Sequence, residues 1–129
     1  MAGSSQPVLV VEDDGLIRMD LVDLLTEGGI DQILEAANAD QALRVLETQS
    51  AVRAVLTDID MPGSMNGLKL AQLTAERWPD CRIVVISGRY HPEQGALPEG
   101  ARFLSKPLSE RRLLQILQEL DIVGSRPKS

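Results

Sequence analysis

Glu12 and Asp13 follow directly on the apolar run Val8-Leu9-Val10-Val11, and Asp58 follows Ala54-Val55-Leu56-Thr57. Ser87 ends a further run that begins at Arg82, and Lys106 follows Ala101 to Ser105. Each run is short, aliphatic or β-branched, and bounded by polar residues, which is the pattern of a buried strand. Three carboxylates, a hydroxyl and an ammonium group therefore lie at strand ends. A single Asp after a strand serves equally well as a turn former or helix cap, and Asp14 reads as a cap. The set as a whole is harder to explain that way, because neighbouring carboxylates repel by up to ~4 kcal/mol per close pair at an effective dielectric of about 20. A fold does not need such a cluster, but a hard cation does. An all-oxygen ligand set with open positions suits Mg²⁺, which keeps several waters and shares a phosphate readily. A Lys and a Ser beside it are the groups to hold the oxygens of a phosphoryl group.

The elements that must bring these residues together are legible between the runs. Ile17, Leu21, Leu24 and Leu25 form an amphipathic helical stripe that Gly28-Gly29 ends. Gln32 to Ala36 is a further short strand, and Asn38 with Gln41 marks a capping box before the stripe Ala39, Ala42, Leu43 and Leu46. Leu68, Ala71, Ala75 and Trp78 line a third helix stopped by Pro79, and Ser109 caps a last one bearing Leu113, Ile116, Leu117 and Leu120. Alternating strands and helices imply an α/β fold: a doubly wound parallel sheet with right-handed crossovers and helices on both faces. In such sheets ligands bind outside the carboxyl ends, where strand order reverses. Residues 88–101 break the pattern, with three glycines, two prolines and Leu97 as the one large aliphatic residue. Each interior Gly costs a helix ~1 kcal/mol and each Pro ~3 kcal/mol relative to Ala. The fourth helix, between the fourth and fifth strands, is therefore expected to be absent or reduced to about one turn starting at Pro92.

The 129 residues are 43% hydrophobic and 25% charged, the size and balance of one folded domain. Residues 7–122 are expected to form it, with flexible tails at 1–6 and 123–129. A net charge of −6 and 2% aromatic residues argue against nucleic acid as a partner. The longest apolar runs are four residues, far short of a bilayer span, and Met1 to Gln6 carry no signal-peptide core. These features imply a cytoplasmic protein with no membrane partner. One cysteine, Cys81, excludes an intrachain disulfide or a Cys-based zinc site and reads as a small buried hydrophobe. His91 reads as a solvated loop residue, Trp78 as packing, and Arg111-Arg112 as a solvated face.

The segments VLVVEDD, LTDIDMPGSMNG, VVISG and FLSKP together resemble the receiver domain of two-component response regulators, over about Val8 to Ile122. The resemblance implies a five-stranded flavodoxin-like sheet of strand order 2-1-3-4-5. It also implies that Asp58 takes a phosphoryl group from a phosphohistidine to form an aspartyl phosphate. Asp13, Asp58 and the backbone carbonyl of Asp60 would bind Mg²⁺ (or Mn²⁺) directly, and Glu12 would act through a metal-bound water. Lys106 would pair with Asp58 and then with the phosphoryl oxygens. Ser87 and Phe103 would be the switch pair, and the Lys106-Pro107 bond would be cis. The partner would be a sensor histidine kinase or a histidine phosphotransfer protein, and the chain a signalling domain rather than an enzyme with turnover. The sequence departs from the family's usual form in having Glu at position 12, a loop Met61 to Gly67 one residue longer with Asn66 in place of Asp, and Gly88 after Ser87. Asp60 and Arg89, two residues beyond Asp58 and Ser87, form a candidate opposite-charge gate over the site. The competing reading is two independent solvated charges. Two other functions remain to be weighed. One is a pseudo-receiver that binds partners without taking phosphate. The other is a haloacid-dehalogenase-type phosphatase, suggested by Asp58-Ile59-Asp60 but normally opening from a first strand.

Overall fold

Successive side chains of a strand point to opposite faces, so the run Val8–Val11 must supply two cores at once. In the computed structural model it does so. Val8 and Val10 pack with Leu21 and Leu25 on one side of the sheet. Leu9 and Val11 pack with Ala39, Ala42 and Leu46 on the other. The structure describes residues 6–49, 51–59, 67–88 and 97–120. Along the chain the elements are β1 (Val8–Val11), α1 (Gly15–Glu27), β2 (Ile33–Ala36), α2 (Ala39–Thr48) and β3 (Ala54–Asp58). They continue with α3 (Gly67–Arg77), β4 (Arg82–Ser87), β5 (Arg102–Ser105) and α4 (Glu110–Glu119). The five strands form one parallel sheet in the order β2-β1-β3-β4-β5. Helices α1 and α4 cover one face, where Leu113, Ile116 and Leu117 meet Leu56, Val84 and Ile86. Helices α2 and α3 cover the other, where Leu70 joins Val55 and Ala71 joins Ile83 and Val85.

The caps are those the sequence announces, with one change of partner. Asp14 caps α1, its carboxylate accepting from the amides of Leu16 and Ile17 at 2.9 and 3.2 Å. Asn38 accepts from Gln41 N–H at 2.8 Å, but the Gln41 side chain reaches back to the amide of Ala37 rather than that of Asn38. Ser109 caps α4. Helix α1 ends at Gly28, and Gly29 takes φ 101°, which a side chain would strain.

One helical stripe needs correction and another is incomplete. Ile17 is not in the core: it is 36% exposed, beside Leu16 at 74% and Met19 at 56%. The first turn of α1 begins four residues after β1 ends, and Leu16, Ile17 and Met19 join none of the buried clusters. The stripe expected on α3 does face the core, with Ala71 buried and Leu68, Ala75 and, just past the helix, Trp78 packed partly covered against it, but the fully buried residues also include Gly67, Leu70 and Thr74. Buried Thr74 satisfies its hydroxyl by donating to the carbonyl of Leu70 at 2.8 Å. Of the stretch expected to lack a full fourth helix, residues 89–96 lie outside the described ones. Residues 88 and 97–101 are non-helical, and the helix numbered α4 follows β5. The expected tails also lie outside the described residues, apart from Gln6.

Candidate functional site

The sheet's register sets the site. Strand β1 lies between β2 and β3, so chain order reverses around it, and the carboxyl ends of β1 and β3 are where a sheet of this kind binds its ligands. Val11 is opposite Thr57, which brings the next residues, Glu12 and Asp58, side by side. Asp58 in turn pairs with Ile86, and Ser87 with Ser105, so Ser87 and Lys106 follow along the same edge. The edge stays hydrogen-bonded past the last strand pairs, with Glu12 N–H donating to Ala36 O, Ile59 N–H to Ile86 O and Lys106 N–H to Ser87 O.

Three carboxylates converge here. Oxygen atoms of Glu12, Asp13 and Asp58 all lie within 4.8 Å of one another, with Glu12 and Asp58 buried and Asp13 exposed. Lys106 reaches over them, its Nζ 2.9 Å from Asp58 Oδ2 and 3.8 Å from Glu12 Oε1. Two carboxylates and one ammonium leave the inner pair short of positive charge. Burial accordingly pushes the Glu12 carboxyl up to about 7 from an ordinary 4.5, and its hydrogen bond and repulsion with Asp58 add to the rise. The Asp14 amide, donating to Glu12 Oε2 at 3.1 Å, and Lys106 oppose the rise without cancelling it. A buried carboxyl that holds its proton until near neutrality is one for which a divalent cation is an obvious substitute, and the all-oxygen donor set fits Mg²⁺.

Gly67 makes the geometry at Asp58 possible. A Cβ there would run into the Asp58 carbonyl, and it would also lie 2.9 Å from Thr57 Oγ1. The start of α3 can therefore lie directly against the end of β3, and Gly67 N–H donates to Ile59 O. Thr57 is fully buried and gives its hydroxyl to the Asp58 carbonyl at 3.1 Å.

The edge thus brings together Glu12, Asp13, Asp58, Ser87 and Lys106. Ser87 is buried at its end of β4. Phe103 lies on β5 and packs, partly covered, against the cluster of Ile59, Ala71, Ile83 and Val85. The Lys106-Pro107 bond is cis. Asp60 and Arg89 fall outside the described residues, and with them the expected carbonyl ligand and the candidate gate. Residue types and spacing gave no sign of Gly67's close approach, of Thr57, or of Arg18, whose Nη1 donates to the Glu12 carbonyl at 2.7 Å. The thiol of Cys81 is well away on the opposite edge of the sheet, and burial pushes it up to about 12.

Comparison with known proteins accounts for this arrangement. The family model for the response regulator receiver domain matches residues 8–118. The response regulator receiver protein CpdR of Brucella abortus is 32% identical, over 91% of this chain and 98% of that protein. A chemotaxis protein CheY homolog of Campylobacter jejuni is 31% identical, over 92% of this chain and 94% of that one. Other relatives are longer, and the chain spans about a quarter of the NtrX-like regulators of Rickettsia and 23% of FleR of Pseudomonas aeruginosa. Among solved structures, the receiver domain of NtrX from Brucella abortus superposes with a TM-score of 0.79 at 30% identity, covering 91% of this chain and 99% of that one. A receiver protein from Sinorhizobium medicae shares the fold with a TM-score of 0.82 at 24% identity. The carboxylate-bearing edge belongs to a known architecture: this chain is a member of the response regulator receiver domain family of two-component signalling.

Proposed function

We propose that this chain is a phosphoacceptor, with Asp58 taking a phosphoryl group from a phosphohistidine and so changing what the domain binds. The observation that carries the reading is the position of Asp58. It is a buried carboxylate at a strand end, 2.9 Å from the Lys106 ammonium and within 4.8 Å of oxygens from two further acids. A pseudo-receiver has no use for that repulsive set. The phosphatase reading is disfavoured because Asp58 closes the third strand and the acid pair Glu12–Asp13 would have no role.

In the proposed reaction an Asp58 oxygen attacks phosphorus in line, the P–N bond to the imidazole breaks, and the departing ring nitrogen takes up a proton. Lys106 is within reach of both the nucleophile and the oxygens that gain charge, so it can stay paired as the acyl phosphate forms. Ser87, buried at the end of β4, is the hydroxyl suited to bind a phosphoryl oxygen, and Phe103 is the aromatic whose packing would change with it. Glu12, Asp13 and Asp58, with the carbonyl of Asp60, would hold Mg²⁺ or Mn²⁺. Its contribution is to neutralise charge on the phosphoryl oxygens.

The donor needs a place to dock beside this edge, and α1 offers one. Its exposed Leu16, Ile17 and Met19 adjoin a groove of about 740 Å³ that Ile17, Leu21 and Leu24 form with Pro107 and Leu108. Asp20, Asp23 and Glu27 line the same groove. We assign this face to the histidine-bearing helix of a sensor kinase or phosphotransfer protein, and propose that the two meet in the cytoplasm. One relative, 34% identical over 90% of this chain and 12% of that protein, is the sensor kinase CckA of Brucella abortus.

Incubation with acetyl phosphate, followed by intact mass, tests the reading. One added phosphoryl group that requires Mg²⁺ and is lost in Asp58→Ala is expected. An acyl phosphate still formed by Asp58→Ala, or none formed by the wild type, would overturn it.

A further inference from the structure

Arg18 lies outside the carboxylate cluster, yet it is tied to the peptide that carries it. Its Nη1 donates to the carbonyl of Glu12 at 2.7 Å, and its Nε donates to Glu35 Oε1 at 3.0 Å. That carbonyl belongs to the peptide joining Glu12 to Asp13, so its direction sets how the Asp13 backbone leaves β1. The other side of Glu12 is fixed independently, its N–H bonded to Ala36 O at 3.0 Å. Residue 12 is thus held from two directions, by β2 through its amide and by α1 through its carbonyl. Glu35, on β2 in register with Val10, orients the guanidinium. The Arg18 side chain is 23% exposed, against 50% for Glu35. A planar fork with donors in fixed directions can serve a carbonyl and a carboxylate at once, which a single ammonium does less well.

We infer that Arg18 is a positioning residue for the metal site, fixing the Glu12–Asp13 peptide so that the two acids face Asp58 before a cation arrives, with Glu35 as its orienting partner. The inference rests on the proposed Mg²⁺ site. Electrostatics alone predicts the opposite sign, because removing a cation near the acids makes their surroundings more negative and should tighten divalent binding. Lost positioning weakens binding, and groups that orient metal ligands typically contribute 10–100-fold to affinity.

The test is Mg²⁺ titration of the folded protein by calorimetry, alongside melting temperatures with and without saturating Mg²⁺. Arg18→Gln is expected to raise the Mg²⁺ Kd about tenfold and to shrink the melting-temperature increment that Mg²⁺ gives. Arg18→Lys should recover part of the loss, and Glu35→Gln should weaken binding by a smaller factor than Arg18→Gln. A merely structural role would lower the melting temperature equally with and without metal and leave Kd unchanged. Unchanged or tighter binding in Arg18→Gln overturns the inference while leaving the metal site intact. Should Arg18→Gln not fold, an unchanged Kd in both Arg18→Lys and Glu35→Gln overturns it equally. Absence of Mg²⁺ binding by the wild type would overturn the metal site itself, and this inference with it.

Discussion

Glu12 is where burial and charge conflict most. Its side chain is 2% exposed, with another buried carboxylate beside it, and its carboxyl is pushed up to about 7. A carboxyl that binds its proton more tightly when folded than when unfolded favours folding at low pH and opposes it once both forms are ionised. For Glu12 the stabilising protonation is complete below the unfolded value of 4.5 and is lost as pH rises through about 7. Metal-free protein should therefore lose up to about 3 kcal/mol of stability from this group between pH 5 and pH 8. Urea melts at a series of pH values check the slope. Saturating Mg²⁺ should flatten it by binding the ionised acids, and Glu12→Gln should remove it and leave the metal-free protein more stable at pH 8. A slope unchanged in Glu12→Gln would assign the effect to another group. The identity of this conflict was legible from the sequence, because acids at two strand ends can be placed together once the strands are parallel. The role of Arg18 was not, because an arginine one helical turn into α1 looks like any solvated charge until its guanidinium is seen on the Glu12 carbonyl.

Helix α3 shows how a backbone approach overrides propensity. Alanine is the better helix former by about 1 kcal/mol, so Gly67→Ala would stabilise an isolated helix. In the folded chain the new methyl meets the Asp58 carbonyl, which belongs to the central sheet and cannot move aside cheaply. The variant should be destabilised by about 1–3 kcal/mol, the usual range for overpacking, as read from the denaturant midpoint. Its rate of modification by acetyl phosphate should fall as well, because the strand end that moves carries Asp58, the proposed phosphoacceptor. The stripe read from Leu68, Ala71, Ala75 and Trp78 does pack against the core, but apart from Ala71 it misses the most deeply buried residues. With Gly67 drawn against β3, these are Gly67, Leu70, Ala71 and Thr74. A buried threonine that donates to its own helix is invisible to a hydrophobic pattern. The stripe of α1 misplaces Ile17 for a different reason, since periodicity gives the direction a residue faces but not whether the core extends that far.

The parallel sheet and its two helical layers followed from alternation, because right-handed crossovers leave few topologies, whereas the strand order β2-β1-β3-β4-β5 was legible only through the family resemblance. Alternation does not tell which exposed surface is used, and this is where the apolar start of α1 matters. Charged substitutions at Ile17 and Met19 together should leave stability and reaction with acetyl phosphate near wild type, because both side chains are exposed and neither touches the carboxylates. Transfer from a phosphorylated histidine protein should slow by about 5- to 30-fold, the loss expected when a contact centre contributing about 1–2 kcal/mol is removed. Equal slowing with acetyl phosphate would instead mean that the site itself was disturbed.

The place of Asp58 in the sheet carries a further consequence, for motion. Its strand is flanked on both sides, by β1 and β4, while β5 is bordered by β4 alone. Interior strands exchange their amide hydrogens only through large openings, whereas edge strands fray in small ones. On the proposed function, a phosphoryl group on Asp58 would sit on an interior strand, where the acceptor itself would have little freedom to report the event. Displacement would then accumulate toward the edge strand β5, through Ser87 at the end of β4 and Phe103 on β5, where local opening is least expensive and a small change in occupancy most easily becomes a change in shape.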